Sequence, residues 1–165
     1  MSSLPEIKTI LYATDQGKNM RPVFRHAINL AQHLNARIIM LHVIEPLGST
    51  GEAVLSTYLP EKKMAQLERD GMKKILAQMK TRLEKFCEDE LAACEKKSAM
   101  VKEILVTTGR PADRIAFEAE KHHADMIVMG SWSEGFIGHG LIGSTARQVT
   151  QISHLPVLVV PNRPR

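Results

Sequence analysis

Two stretches of this chain carry residues that could do chemistry. The first is Ala13-Thr14-Asp15, where a hydroxyl and a carboxylate close a short apolar run. The second starts at Met129-Gly130-Ser131, passes Ser133 and returns at Gly143-Ser144-Thr145, with five glycines from Gly130 to Gly143. An apolar run, a glycine loop and a helical pattern in that order make an anion site. Glycines let the backbone approach a phosphate, while the first helical N–H groups and the helix dipole favour negative charge.

Other chemistries fit less well. Gly138-His139-Gly140-Leu141-Ile142-Gly143 spells the dinucleotide fingerprint G-x-G-x-x-G. That fingerprint needs its first glycine in the turn ending a strand and an acid about 20 residues further on. Here the apolar run ends near Gly130, and the count reaches Arg163. No G-x-S-x-G elbow, Walker A lysine or acidic pair after the first strand is present, so no catalytic constellation is expected. His42, His139 and His154 are isolated, and His122 and His123, adjacent on a helix, diverge, which leaves no metal-ligating set. Asp15 and Ser144 have a plainer role open to them, each as the cap of the helix that follows.

The elements that would position these residues follow from periodicity. Ile7–Thr14 reads as a first strand, and Asp15 to Asn19 breaks it. Pro22 suits a first helical turn, and Phe24, Ala27, Ile28, Ala31 and Leu34 share a face, which predicts a helix to about Asn35. Arg37–Ile44 is apolar enough for a strand buried on both faces. The segment 45–60 reads as a loop, and 61–97 as one long amphipathic helix or two helices broken near Asp70-Gly71. A third strand over Val101–Thr107 and a helix over Pro111–His123, with Ile115, Ala116 and Ala119 inward, come next. Asp125–Met129, the glycine loop, a helix over Thr145–Ile152 and a last strand, Pro156–Val160, complete the chain. Strands alternating with helices predict one doubly wound α/β domain, in which ligands sit beyond the carboxyl ends of the strands.

Composition sets bounds. The 165 residues suit one domain with a sizeable core, and 44% hydrophobic with 24% charged residues is ordinary for a globular chain. The net charge of +4 is spread among carboxylates and aromatics are 4%, so nucleic acid is not an expected partner. The sequence shows neither a signal-peptide pattern nor an apolar run of membrane-spanning length, and a cytoplasmic protein is expected. Cys87 and Cys94 lie seven apart on one helical stretch, roughly 10 Å between Cα atoms, too far for a disulfide, and are expected to be reduced, core-facing thiols.

The whole pattern resembles the universal stress protein family. The likeness rests on Ile-Leu-Tyr-Ala-Thr-Asp (10–15), Leu-His-Val-Ile (41–44), Thr-Gly-Arg-Pro-Ala-Asp-Arg-Ile (108–115), Ala-Asp-Met-Ile-Val-Met-Gly-Ser (124–131) and Pro-Val-Leu-Val-Val-Pro (156–161). It also rests on the family's signature of glycine, two residues, glycine, nine residues, glycine and a hydroxyl residue, here anchored at Gly130, Gly143 and Ser144. Ser133 stands where the second glycine belongs. Residues 45–97 are not diagnostic.

The resemblance implies a single domain over 1–165, a five-stranded parallel sheet of order 3-2-1-4-5, and a variable region made by the 45–60 loop and the 61–97 helix. It implies an adenine nucleotide, ATP or AMP, with or without Mg. Ala13, Thr14, Asp15 and Val43 would surround adenine and ribose, with Asp15 accepting hydrogen bonds from either. Met129 and Gly130 would flank the adenosine, and Ser131, Ser133, Gly143, Ser144 and Thr145 would face phosphates. No Lys or Arg occurs between Gly130 and Ala146, which should favour AMP over ATP. The implied role is a stress-response sensor or adaptor with an unknown protein partner. The implied assembly is a homodimer pairing Pro156 to Val160. Two alternatives are a member that binds no nucleotide and acts through its dimer surface, and a slow ATPase.

Overall fold

The computed structural model describes residues 4–46, 48, 57, 60–92, 100–132 and 142–162. Its strands are β1 (Thr9–Ala13), β2 (Arg37–Ile44), β3 (Val101–Thr108), β4 (Met126–Gly130) and β5 (Val157–Val160). Its α-helices are α1 (Arg21–Leu34), α2 (Glu61–Leu91), α3 (Pro111–Lys121) and α4 (Ser144–Ile152), with a 3-10 turn over Lys18–Met20. All strand pairs are parallel, in the order β3-β2-β1-β4-β5.

Alternation along the strands builds a core on each face. Ile10 and Tyr12 of β1, Ile38 and Met40 of β2 and Val128 of β4 pack with Val23, Phe24 and Ala27 of α1 and with Leu83 and Cys87 of α2. Leu11, Ala13, Ile39, Leu41, Ile127 and Met129 point the other way, onto Ala112, Ile115 and Ala119 of α3 and Ala146 and Val149 of α4. A parallel sheet covered on both faces needs such near-continuous apolar strands. Tyr12, Phe24 and Phe86 extend the first core as a tilted aromatic row, with successive centroids 5.2 Å apart.

Local sequence accounts for most helix ends. Pro22 lies in the first turn of α1, and Asn35 ends it in the left-handed region at φ 52°. Pro111 opens α3. Helix α2 runs unbroken past Asp70-Gly71, where a Cβ on Gly71 would meet nothing within 4 Å. Its described side chains from Lys62 to Arg82 are half-buried or exposed, and burial begins at Leu83. Cys87 is buried and unpaired, as expected; Cys94 lies outside the described residues.

One buried group has no counterpart among the apolar positions that the sequence pointed to. Glu118 is 1% exposed within α3, where Arg114 Nη2 donates to its Oε1 at 2.5 Å and Lys121 and His122 flank its other oxygen. A carboxylate is tolerated there because cations from its own helix surround it.

Candidate functional site

Strand order reverses between β1 and β4, and the carboxyl ends of doubly wound strands diverge at such a point. A cavity of about 240 Å³ opens there. Ala13, Thr14 and Asp15 line it from the end of β1 and just past it, Leu41, Val43 and Glu45 from the end of β2 and just past it, Met129 to Trp132 from the end of β4 and the residues after it, and Gly143, Thr145 and Ala146 from the start of α4.

The β1 lip is rigid because its polar groups are engaged internally. Thr14 donates its N–H to Leu41 O at 2.9 Å, its carbonyl lies 2.8 Å from His42 Nδ1, and its Oγ1 accepts from Gln16 N at 3.1 Å. Asp15 is exposed, and its Oδ1 accepts from Gly17 N at 2.8 Å, closing a turn through Gln16 at φ 61°. The turn fixes one carboxylate oxygen in the protein; among the described residues Oδ2 takes no donor.

The opposite lip is tied at three points. Ser131 donates its N–H to Val160 O at 2.9 Å, and its own carbonyl accepts from Gly143 N at 2.8 Å. Asn162, buried just beyond β5, accepts from Trp132 N at 2.9 Å and donates to Trp132 O at 3.0 Å. The outgoing strand, the returning chain and the segment after β5 therefore converge on Ser131 and Trp132.

Gly143 is the N-cap of α4 and has no side-chain cap; its carbonyl accepts from Arg147 N at 3.0 Å. The first N–H groups of a helix lack intrahelical acceptors, and those of α4 stand at the cavity wall that Gly143, Thr145 and Ala146 form. No acidic residue occupies this first turn. An anion fits there better than a cation.

Of the residues singled out in the sequence, Ala13, Thr14, Asp15, Val43, Met129, Gly130, Ser131, Gly143 and Thr145 line the cavity together. Ser144 is exposed at the first turn of α4 and is not part of the lining, and Ser133 lies outside the described residues. Sequence reasoning missed Glu45, and Pro111 and Ile115 of α3, whose i, i+4 spacing gives them one face. It also missed Asn162, which sits in a tail with no periodic signal.

Asp15 and Glu45 are the charged residues among those lining the cavity, and no Lys or Arg is among them. A magnesium ion is commonly held by one or two carboxylates together with substrate phosphates, and Asp15 and Glu45 are the carboxylates in this lining. A cage made by protein alone is not available, since no group of three His, Cys, Asp or Glu side chains among the described residues could hold a metal. No helix among the described residues is long and apolar enough to cross a membrane.

The sheet order, with a cavity where it reverses, defines a doubly wound α/β domain. The chain belongs to the universal stress protein family, which it matches over residues 6–161. Universal stress protein MJ0531 of Methanocaldococcus jannaschii is 29% identical over 159 residues, spanning 93% of this chain and 81% of that protein. MJ0577 of the same organism is 28% identical over 160 residues, spanning 94% and 96%. The solved structure of MJ0577 superposes with a TM-score of 0.75 at 25% identity, covering 98% of this chain and all of the other. A universal stress protein crystallised in complex with cAMP shares the fold, with a TM-score of 0.59 at 21% identity over 96% of this chain and 100% of its own.

Proposed function

We propose that the cavity between β1 and β4 binds an adenine nucleotide and that the protein acts as a nucleotide-dependent sensor or adaptor in a stress response. The observation that carries this reading is the convergence on one cavity of the Asp15 carboxylate, the Ser131 to Gly143 closure and the start of α4. Adenosine would lie between Ala13, Val43 and Met129, with Asp15 at the ribose. Phosphate would lie against Ser131 and the first turn of α4. The complex of a family member with cAMP supports an adenine ligand.

Size and charge favour AMP over ATP. A cavity of about 240 Å³ falls just below the range of roughly 300–1,000 Å³ typical of ligand pockets. It has room for a nucleoside with little to spare for three phosphates. Two carboxylates and no Lys or Arg in the lining repel additional negative charge, so ATP would need magnesium to neutralise its phosphates. Rapid phosphoryl transfer requires strong positive charge around the transferring group, and this lining supplies none. Turnover of ATP should stay well below about one per second, the lower end for ordinary enzymes.

The same acidic lining favours a second reading, in which the site is empty in the cell and the protein acts through a dimer surface. Mass spectrometry of the small molecule released on denaturation, followed by titration of the stripped protein, separates the two. Release of an adenine nucleotide supports the first reading. Absence of both release and rebinding supports the second.

A further inference from the structure

Asn162 is 4% exposed and lies two residues beyond the last described strand pair, in which Gly130 faces Val160. Pro161 follows β5, and Ser131 N still donates to Val160 O at 2.9 Å beside it. The Asn162 side chain turns back onto the chain that follows β4. Its Oδ1 accepts from Trp132 N at 2.9 Å and its Nδ2 donates to Trp132 O at 3.0 Å, so one amide engages both backbone groups of Trp132. Only this orientation of the amide satisfies both partners.

Glycine at position 130 follows from that arrangement. A Cβ there would fall 2.7 Å from Asn162 Nδ2 and 2.8 Å from its Cγ, closer than real Cβ atoms approach. The backbone of Gly130 is not in the left-handed region, so conformational freedom does not explain the residue. Space for the Asn162 amide does.

We propose that Asn162 is the positioning residue of the nucleotide site. It does not line the cavity, but it fixes the backbone of Trp132 and, through it, the wall from Gly130 to Trp132. Ser131, which closes onto Gly143 at the start of α4, lies between Gly130 and Trp132, and its Oγ donates to Asn162 Oδ1 at 3.5 Å. Loss of the amide therefore loosens the wall against which phosphate would rest. The ligand side of this inference rests on the proposed function; the latch itself does not.

The test uses Asn162→Ala, Gly130→Ala and the double variant. Trp132 is the sole tryptophan, so its emission reports the latch without any ligand. Asn162→Ala should red-shift that emission, increase acrylamide quenching and weaken AMP binding about tenfold, the loss of two neutral hydrogen bonds. Gly130→Ala should do the same by displacing the amide. In the double variant the clash is gone, and its melting temperature should match that of Asn162→Ala instead of summing both losses. Asn162→Asp keeps the shape and should behave like Asn162→Ala at neutral pH. It should recover toward the parent at about pH 5, where a buried, protonated carboxyl regains the donor for Trp132 O. Additive losses in the double variant, or unchanged Trp132 emission in Asn162→Ala, overturn the latch. If emission shifts while AMP affinity holds, Asn162 is structural only and the positioning role fails. If the parent protein binds no nucleotide, the functional reading fails, while emission and the double variant still decide the latch.

Discussion

The backbone N–H of Gly143 donates to the carbonyl of Ser131 across 2.8 Å, closing the neck of the glycine loop at the first turn of α4. A Cβ on Gly143 would lie 3.2 Å from that same oxygen, tighter than ordinary contact. A branched side chain there must push that oxygen aside. Gly143→Val should push Ser131 from the cavity wall and weaken AMP binding by a factor of about ten or more, while both sheet cores stay intact. Calorimetric titration with a parallel circular-dichroism melt checks this; a folded variant with parental affinity would place phosphate elsewhere.

A second prediction concerns β5, an edge strand of the sheet. Val157, Leu158 and Val159 are each only half-buried, and an apolar edge of this kind invites pairing with another copy. The protein should be a homodimer through Pro156 to Val160, and Val159→Lys should convert it to a monomer. Light scattering at micromolar concentration reads the change. A parent that is already monomeric contradicts the prediction.

The buried ion cluster of α3 yields a stability prediction. Replacing Glu118 by Leu removes the partner of Arg114, whose Nε already lacks a hydrogen-bond acceptor among the described residues. Arg114 is about one-third exposed, with 32% of its side chain accessible, so water recovers part of the loss. A cost of about 2 kcal/mol is expected, below the range for fully buried pairs, and Glu118→Gln should cost less because it still accepts a hydrogen bond. Urea denaturation of the three proteins tests the ranking.

Alkaline pH should destabilise the fold. Burial pushes the Cys87 thiol from 9.0 up to about 12, with Glu84 and Glu88 adding to the shift, and burial also raises the Tyr12 hydroxyl. Both groups hold their protons to higher pH in the folded state than in the unfolded chain. Their contribution is complete below pH 9.0 and is lost as pH climbs toward 12, so melting temperature should fall across that window. Cys87→Ala should remove the thiol's part of the slope; a flat profile in the parent contradicts the account.

Strands and helices were legible in the sequence because their apolar spacing is regular, and most boundaries fall within two residues of expectation. The long helix resolved an ambiguity that composition left open: solvent surrounds Gly71, so the helix continues through it. Strand order came from resemblance alone, since parallel pairing leaves no local signature in sequence. Asn162 and Glu118 were illegible for different reasons. Asn162 is buried by partners distant in sequence, whereas Glu118 meets Arg114, Lys121 and His122 at helical spacing, a charge pattern that marks the pairing but not the burial. Glu45 was missed because it lies at the end of a strand whose apolar run drew attention inward.

The most direct test of the central claim is calorimetric titration of nucleotide-stripped protein with AMP, repeated with ATP in the presence and absence of magnesium. The account predicts one AMP per chain, tighter binding of AMP than of magnesium-free ATP, and partial recovery of ATP affinity when magnesium is added. Absence of heat with every ligand, in protein shown to be folded, would contradict it.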